Sequence, residues 1–184
     1  MTVRAGDVER VAAAVQAAPA RCGPTRVVGV DGRSGAGKST FARALAERLD
    51  GAPVLQLEGI YDGWDGLQRG IDRLAAEVLT PLAAGRDAAV PQWDWAAQAW
   101  GTPRPVAARA PVLVLEGVGA GALAVAPFLS VSVWLEVPDA VRRDRALARD
   151  GETYRPFWET WAAQEAALLA RDDIRWRADV VIEM

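Results

Sequence analysis

The sequence predicts an α/β fold, a three-layer α/β/α sandwich built around a parallel sheet of about five strands. Short apolar runs alternate with segments of helical spacing along the 184 residues. The run at 112–115 is apolar throughout, as in a strand that is buried on both faces. A glycine-rich loop also joins the first run to a helix. The predicted strands span 26–30, 54–57, 112–115, 131–137 and 178–182.

Helical spacing predicts the elements that connect these strands. The predicted helices span 7–18, 40–49, 67–79, a segment opened by Pro138, and 154–170. Between 80 and 109 the pattern loosens, with four prolines and three tryptophans. We interpret that stretch as an irregular insertion rather than a second domain. The expectation is a single domain over 1–184, with an insertion over 58–110 and an arginine-bearing lid over 138–160.

Composition excludes several classes of protein. The formal net charge is −3 and the pI is near 5.1, which argues against a nucleic-acid partner held through its phosphates. Cys22 is the single cysteine and histidine is absent, so intrachain disulfides and the common zinc sites are excluded. The apolar stretch 117–135 is broken by two glycines and a proline, and the N-terminus lacks signal-peptide order. We expect a cytoplasmic protein without a membrane partner; the sequence leaves its oligomeric state open.

Lys38 is the only lysine in the chain, beside twenty arginines. It lies in a segment that fits G-x-x-x-x-G-K-[ST] at every fixed position, between a predicted strand and a predicted helix. In this arrangement backbone N–H groups and a helix N-terminus face a phosphate, and the compact lysine charge reaches the β- and γ-phosphates. The alternative is a glycine-rich turn with a surface lysine. The expected nucleotide-binding residues are Gly32, Arg33, Ser34, Gly35, Ala36, Gly37, Lys38, Ser39 and Thr40.

Two carboxylates follow the next strands at the edge where a ligand of a parallel sheet binds. Glu58 ends the second strand and Glu116 the third, so both are expected near a bound triphosphate. Phosphoryl transfer needs a metal ion between the phosphates and a group that orients the attacking oxygen. We expect ATP as co-substrate and Mg²⁺ as cofactor, with Ser39 as a direct metal ligand and Glu116 acting through water. Glu58 is then placed for the acceptor hydroxyl, although each acid taken singly fits a helix cap or a solvated charge equally well.

An arginine-rich face on the helix after Pro138 suggests a lid. Arg142, Arg145 and Arg149 stand at i, i+3 and i+7, so one helical face carries three guanidinium groups. Arginines that close over a transferring phosphoryl group neutralise its developing charge. The alternative is a solvated face paired with Asp144 and Asp150. The candidate catalytic residues are therefore Lys38, Glu58, Arg145 and Arg149.

The ordered set of motifs resembles the uridine kinase and phosphoribulokinase branch of the P-loop kinases over about 26–182. Besides the phosphate loop, 58–61 is similar to the family's D-x-F-Y motif, with glutamate as its acid. The segments 91–95, 116–117 and 145–150 are similar to its P-x-Y-D-F, E-G and R-x-x-x-R-D motifs. The resemblance implies a P-loop kinase fold and a role for Glu58 as base. It implies that the acceptor is bound by Tyr61, Trp64, Trp93, Asp94 and Trp95.

These observations predict an ATP-dependent kinase that phosphorylates a hydroxyl of a small-molecule acceptor. Pyrimidine nucleoside kinases of the family use a histidine that this chain lacks, so the resemblance does not imply a uridine or cytidine acceptor for this chain. Because the acids nearest the motifs are not matched by neighbouring arginines in sequence, an uncharged or cationic nucleoside-like or sugar-like acceptor is expected. Three alternatives stay open: a nucleoside monophosphate kinase, a non-catalytic nucleotide-binding protein, and a kinase acting on an antibiotic or specialised metabolite.

Overall fold

The structure is a computed structural model that describes residues 3–184, apart from the side chain of residue 150. Its central sheet has five strands in the order β2-β7-β1-β8-β9, all of them parallel. The predicted α/β fold class is therefore confirmed. In chain order the strands are β1 Arg26–Asp31, β2 Val54–Gln56, β3 Ala88–Val90, β4 Trp93–Asp94, β5 Ala99–Trp100, β6 Arg104–Val106, β7 Val112–Glu116, β8 Leu129–Glu136 and β9 Val180–Glu183.

Helices cover both faces of the sheet and form the outer two layers. Their bounds are α1 Ala5–Ala17, α2 Lys38–Arg48, α3 Leu67–Arg73, α4 Thr80–Ala83, α5 Asp139–Tyr154, α6 Trp158–Asp172 and α7 Ile174–Arg177. A π-helical turn at Leu74–Leu79 joins α3 to α4, and short 3-10 turns lie at Leu57–Gly59, Ala126–Phe128 and Arg155–Phe157.

Alternating strand side chains divide the core between the two faces. Val28 and Val30 of β1 pack with the apolar sides of α1 and α2, where Val11 and Phe41 are fully buried. Val27 of the same strand belongs to the opposite cluster, which includes residues of α3 and α6. Because both faces of β1 are covered, its inner residues 27–30 carry no polar side chain, as the sequence indicated.

The stretch predicted as irregular contains more regular pairing than its prolines suggested. β3 pairs with β6 and β4 with β5, each pair antiparallel and only two or three residues long. Elsewhere the predicted elements are found with shifted ends. β8 begins at Leu129, two residues earlier than predicted, and α6 begins at Trp158 rather than at residue 154. Gly151 interrupts the preceding helix with φ 55°, so the arginine-rich segment and the next helix are distinct.

The loop that follows β7 lies directly on β1. A Cβ added to Gly29 in the middle of β1 would stand 2.7 Å from the backbone oxygen of Ala120. This close approach requires glycine, and it brings the end of β7 beside the end of β1 at the carboxyl edge of the sheet. No helix among residues 3–184 is long and apolar enough to cross a membrane.

Gly29→Ala is expected to destabilise the fold, because the new methyl group must displace the backbone of a buried loop. Overpacking of this kind costs about 1–3 kcal/mol. Gly6→Ala is the matched control: a Cβ there meets nothing within 4 Å, and alanine favours the helix. Urea denaturation of both variants measures the difference, and an unchanged midpoint for Gly29→Ala would contradict the close packing.

Candidate active site

The glycine-rich segment forms a loop between β1 and α2. Gly32, Gly35 and Gly37 have φ values of 151°, 81° and 90°, a region that side chains rarely tolerate. Lys38 begins α2, so the helix N-terminus opens at the end of this loop. A Cβ on Gly35 would lie 2.0 Å from the backbone oxygen of Arg142, so α5 rests directly on the loop. The loop therefore has the geometry of a phosphate-binding loop that is covered from one side by the arginine-bearing helix.

Lys38 lines a cavity of about 450 Å³ at the carboxyl edge of the sheet. Its Nζ donates to the backbone oxygen of Arg33 at 3.2 Å. Burial lowers the pKa of Lys38, and the charges of Glu116, Glu165 and Asp31 oppose that shift. The ammonium group is thus surrounded by acids from three elements and held within the loop.

Ser39 and Glu116, the two metal-binding candidates of the sequence analysis, both line the cavity and contact each other. The Ser39 hydroxyl donates to Glu116 Oε1 at 2.9 Å. A hydroxyl and a carboxylate oxygen are ligands that suit Mg²⁺, which usually takes few protein ligands and completes its shell with water and phosphates. No cluster of three or more acidic, histidine or cysteine side chains that could hold a metal occurs among the described residues. This pair fits a magnesium ion shared with a nucleotide better than a metal caged by protein alone.

Asp31 is a functional residue that the sequence analysis missed. It is the last residue of β1, it is buried, and its carboxylate accepts three backbone N–H groups, from Gly32 at 2.7 Å, Gly121 at 2.8 Å and Gly119 at 3.1 Å. Burial raises the pKa of Asp31 to about 6, an effect that these hydrogen bonds and the charge of Lys38 partly offset. The acid therefore joins the phosphate loop to the loop after β7. The sequence did contain a signal for Asp31: it is an acid at the end of an apolar strand, directly before the glycine loop.

Glu165 on α6 is a second residue that the sequence analysis did not identify. Its carboxylate is fully buried and accepts the backbone N–H of Ser34 at 2.7 Å, the indole N–H of Trp161 at 3.1 Å and Arg33 Nε at 3.0 Å. Arg142 Nη1 lies 3.6 Å from Glu165 Oε2, the oxygen that also accepts Arg33 Nε. No local sequence pattern signals this role, because Arg33 and Ser34 lie 132 and 131 residues before Glu165 in the chain.

Two of the three arginines on the predicted lid face line the cavity. Arg145 and Arg149 do so, opposite the phosphate loop. Arg142 is instead buried, where its Nε donates to Asp139 at 2.6 Å and its guanidinium lies over the ring of Trp158. The Asp150 side chain of the predicted motif lies outside the described residues.

Aromatic rings form the other half of the cavity. Glu58, Tyr61, Trp64 and Trp95, which the sequence placed at the acceptor, all line it, and so do Tyr154 and Trp161. The ring of Trp64 stacks on Tyr154 at 5.0 Å and on Phe157 at 4.9 Å. Tyr61 donates its hydroxyl to the backbone oxygen of Val118 at 2.7 Å, and burial raises its pKa well above the usual value. The hydroxyl therefore stays protonated and fixes the ring as a wall of the cavity.

Two predicted acceptor residues take other positions. Trp93 packs edge-on against Trp100 in the hairpin of β4 and β5, and Asp94 accepts the backbone N–H groups of Ala96 and Ala97 at 2.9 Å. Neither lines the cavity; within that motif it is Trp95 that reaches it, and its indole N–H donates to the backbone oxygen of Glu58 at 3.1 Å. In the phosphate loop, three predicted residues shape the turn without lining the cavity: Gly32, Arg33 and Ala36.

Comparison with known families agrees with this geometry. The family model described as AAA domain matches residues 28–166, most of the chain. The chain belongs to the AAA domain family. This AAA domain contains the phosphate loop, both strand-end carboxylates, the arginine-bearing helix and Glu165.

Solved structures resemble this AAA domain over nearly the whole chain. A possible uridine kinase from Bacillus stearothermophilus superimposes with a TM-score of 0.71 at 20% identity, covering 96% of this chain and 97% of the other. A candidate fructose transport system kinase from Silicibacter sp. TM1040 gives 0.60 at 20% identity, covering 99% of both. The predicted resemblance to the uridine kinase and phosphoribulokinase branch of P-loop kinases is thus confirmed in the fold.

A curated relative matches a shorter part. Over 93 residues, 43% of this chain, the AAA domain is 36% identical to the bifunctional pantoate ligase/cytidylate kinase of Synechococcus sp. strain CC9902. The match spans 19% of that protein's length.

Lys38→Ala is expected to weaken binding of MgATP at least about tenfold, since it removes a charged donor from the phosphate loop. The fold should persist, because Lys38 is only half-buried. Arg43→Ala removes a cation from the exposed side of the same helix and is the matched control. Titration calorimetry measures both affinities, and unchanged MgATP affinity in folded Lys38→Ala would contradict the phosphate site.

Proposed function

We propose that the protein is an ATP-dependent kinase that transfers the γ-phosphoryl group to a hydroxyl of a small uncharged or cationic acceptor. One observation carries the proposal: a single cavity is lined by the phosphate loop and lid arginines on one side, and by aromatic rings with Glu58 on the other. A nucleotide-binding protein without chemistry needs only the first half.

The residues on the phosphate-loop side of the cavity stabilise negative charge in different ways. Lys38 binds the β- and γ-phosphates, and Arg145 and Arg149 neutralise charge that develops on the phosphoryl group in flight. Ser39 and Glu116 would hold Mg²⁺, which would offset negative charge on the phosphate groups. α5 covers one side of the loop at Gly35 and limits the approach of water from that side, which favours transfer to the acceptor over hydrolysis.

Glu58 orients the acceptor hydroxyl and takes its proton as the hydroxyl oxygen bonds to the γ-phosphorus and the bond from that phosphorus to ADP, the leaving group, breaks. It follows β2 in the 3-10 turn at Leu57–Gly59, and it reaches the cavity between Tyr61 and Trp95. An acceptor with a flat or apolar face fits these rings, while the carboxylate disfavours an anionic group beside the hydroxyl. This supports nucleoside-like, sugar-like or aminated acceptors.

The two arginines of α3, the helix that follows Glu58 and Tyr61, are engaged outside the cavity. Arg69 forms an ion pair with Asp62 at 3.0 Å. Arg73 donates to the backbone oxygen of Ile60 at 3.4 Å, and its guanidinium lies over the ring of Trp100. Neither lines the acceptor half, which supports an acceptor without a phosphate group.

One observation favours a second candidate, a nucleoside monophosphate kinase. Arg104 lines a smaller pocket of about 130 Å³ that shares Glu58 and Trp95 with the main cavity. An acceptor phosphate that entered this pocket would meet a guanidinium group. Arg104 also donates to the backbone oxygen of Val54 at 3.1 Å, so this contact would have to be shared.

Glu58→Gln is expected to lower kcat by about 10²–10⁴, the usual range for a positioned acid–base group, with little change in MgATP affinity. Asp65→Asn, an exposed acid on the same loop, is the control that should leave kcat unaltered. Coupled release of ADP measures kcat, and calorimetry measures affinity. Tight MgATP binding without transfer to any acceptor, in the wild type as in the variant, would favour the non-catalytic alternative.

Acceptor charge is tested by a steady-state comparison of nucleosides, sugars and aminated sugars with nucleoside monophosphates. We expect higher kcat/KM for the uncharged or cationic compounds, because the acceptor half carries Glu58 and lacks a lining arginine of its own. Higher kcat/KM for a monophosphate would reverse the assignment. In that case Arg104→Ala should raise KM for the monophosphate, and this would place its phosphate in the smaller pocket.

A further inference from the structure

Glu165 contacts the phosphate loop from outside the cavity. It lies on α6, is fully buried and is not among the cavity-lining residues. Its Oε1 accepts the backbone N–H of Ser34 at 2.7 Å and its Oε2 accepts Arg33 Nε at 3.0 Å. The acid cannot touch a nucleotide in the cavity directly, so any influence on binding passes through the loop.

The peptide group between Arg33 and Ser34 links Glu165 to Lys38. The N–H of this peptide donates to Glu165, and its carbonyl accepts Lys38 Nζ at 3.2 Å. The described part of the chain has no cis peptide bond, so the N–H and the carbonyl point in opposite directions from one plane. Glu165 and Lys38 therefore hold the two ends of the same rigid group.

We propose that Glu165 is a positioning residue for Lys38, which fixes the peptide whose carbonyl holds the ammonium group where the β- and γ-phosphates of a nucleotide arrive. The inference rests on the proposed nucleotide site but not on the identity of the acceptor. Rotation of this peptide would swing its carbonyl away from Lys38 and let the side chain leave its place in the loop.

A carboxylate suits this position better than its amide. Every group that faces Glu165 is a donor: the N–H groups of Ser34 and Trp161, and the guanidinium groups of Arg33 and Arg142. A glutamine offers one acceptor oxygen, and its amino group would face donors on the other side. The two arginines also offset the charge of the buried acid, which would otherwise be costly to bury.

The first experiment is titration calorimetry of the full chain with MgATP and no acceptor. Glu165→Gln is expected to raise the Kd about tenfold, because the peptide loses its charged anchor. Glu159→Gln, an exposed acid on the same helix, is the matched control and should bind as the wild type does. An unchanged Kd in folded Glu165→Gln would overturn the proposal.

A double-mutant cycle separates positioning of Lys38 from a general structural role. In the Lys38→Ala background, Glu165→Gln should change the Kd less than about twofold, since the group that it positions is gone. An equal loss in both backgrounds would show that Glu165 supports the loop independently of Lys38, and the proposal would fail.

Two further arms close the test. If thermal melting shows Glu165→Gln to be unfolded, Glu165→Asp replaces it: the charge is kept, but the shorter side chain cannot reach Ser34 and Arg33 together, so a similar loss is expected. Wild-type affinity in folded Glu165→Asp would count against the proposal.

Failure of the wild-type protein to bind MgATP at all would overturn the nucleotide site and this inference with it, whereas binding without any transfer would affect the proposed activity alone.

Discussion

The orientation of backbone N–H groups at the carboxyl edge of the sheet is the constraint on which the site depends. Two buried carboxylates impose it. Asp31 accepts N–H groups from the phosphate loop and from the loop after β7, and Glu165 holds the phosphate loop from the side of α6. A buried charge is unfavourable, as the raised pKa of Asp31 indicates, so these acids are retained where several donors converge on each.

The cavity above this edge has two halves of different chemistry, which the proposed phosphoryl transfer would use together. Lys38 of the phosphate loop and the arginines of α5 line one half, while tryptophan and tyrosine rings line the half that contains Glu58. The two halves are not independent, because Trp64 of the acceptor side stacks on Tyr154 and Phe157, which lie at the end of the arginine-bearing segment. Movement of that segment away from the cavity would break the stacking, so the position of the lid and the shape of the acceptor half are mechanically linked.

Periodic patterns in the sequence were sufficient to predict the sheet and its covering helices, because apolar spacing is a local signal of burial. The phosphate loop was predicted from the fixed positions of its glycine and lysine motif. The contact of Ser39 with Glu116 was also predictable, since parallel strands end at one edge. Long-range contacts were not predictable: Glu165 meets Ser34 across 131 residues of chain. Asp94 shows a limit of local motifs. The resemblance implied that Asp94 binds the acceptor, but its carboxylate accepts backbone N–H groups in the turn of its own hairpin.

The bias toward arginine in this chain follows from how its cations are used. Arg33 binds Glu165, Asp139 and the backbone oxygen of Ala162 through different nitrogens, which the flat fork of a guanidinium permits and an ammonium on a flexible stem does not. Lys38 has the opposite task. Its side chain must fit inside a tight glycine loop, donate to one carbonyl and, in the proposed function, turn toward a bound phosphate. A compact ammonium group can do this. A guanidinium group would be too large and too rigid, because its five donors need partners in fixed directions. The single lysine is therefore found in a glycine loop whose geometry favours a compact charge over a guanidinium group.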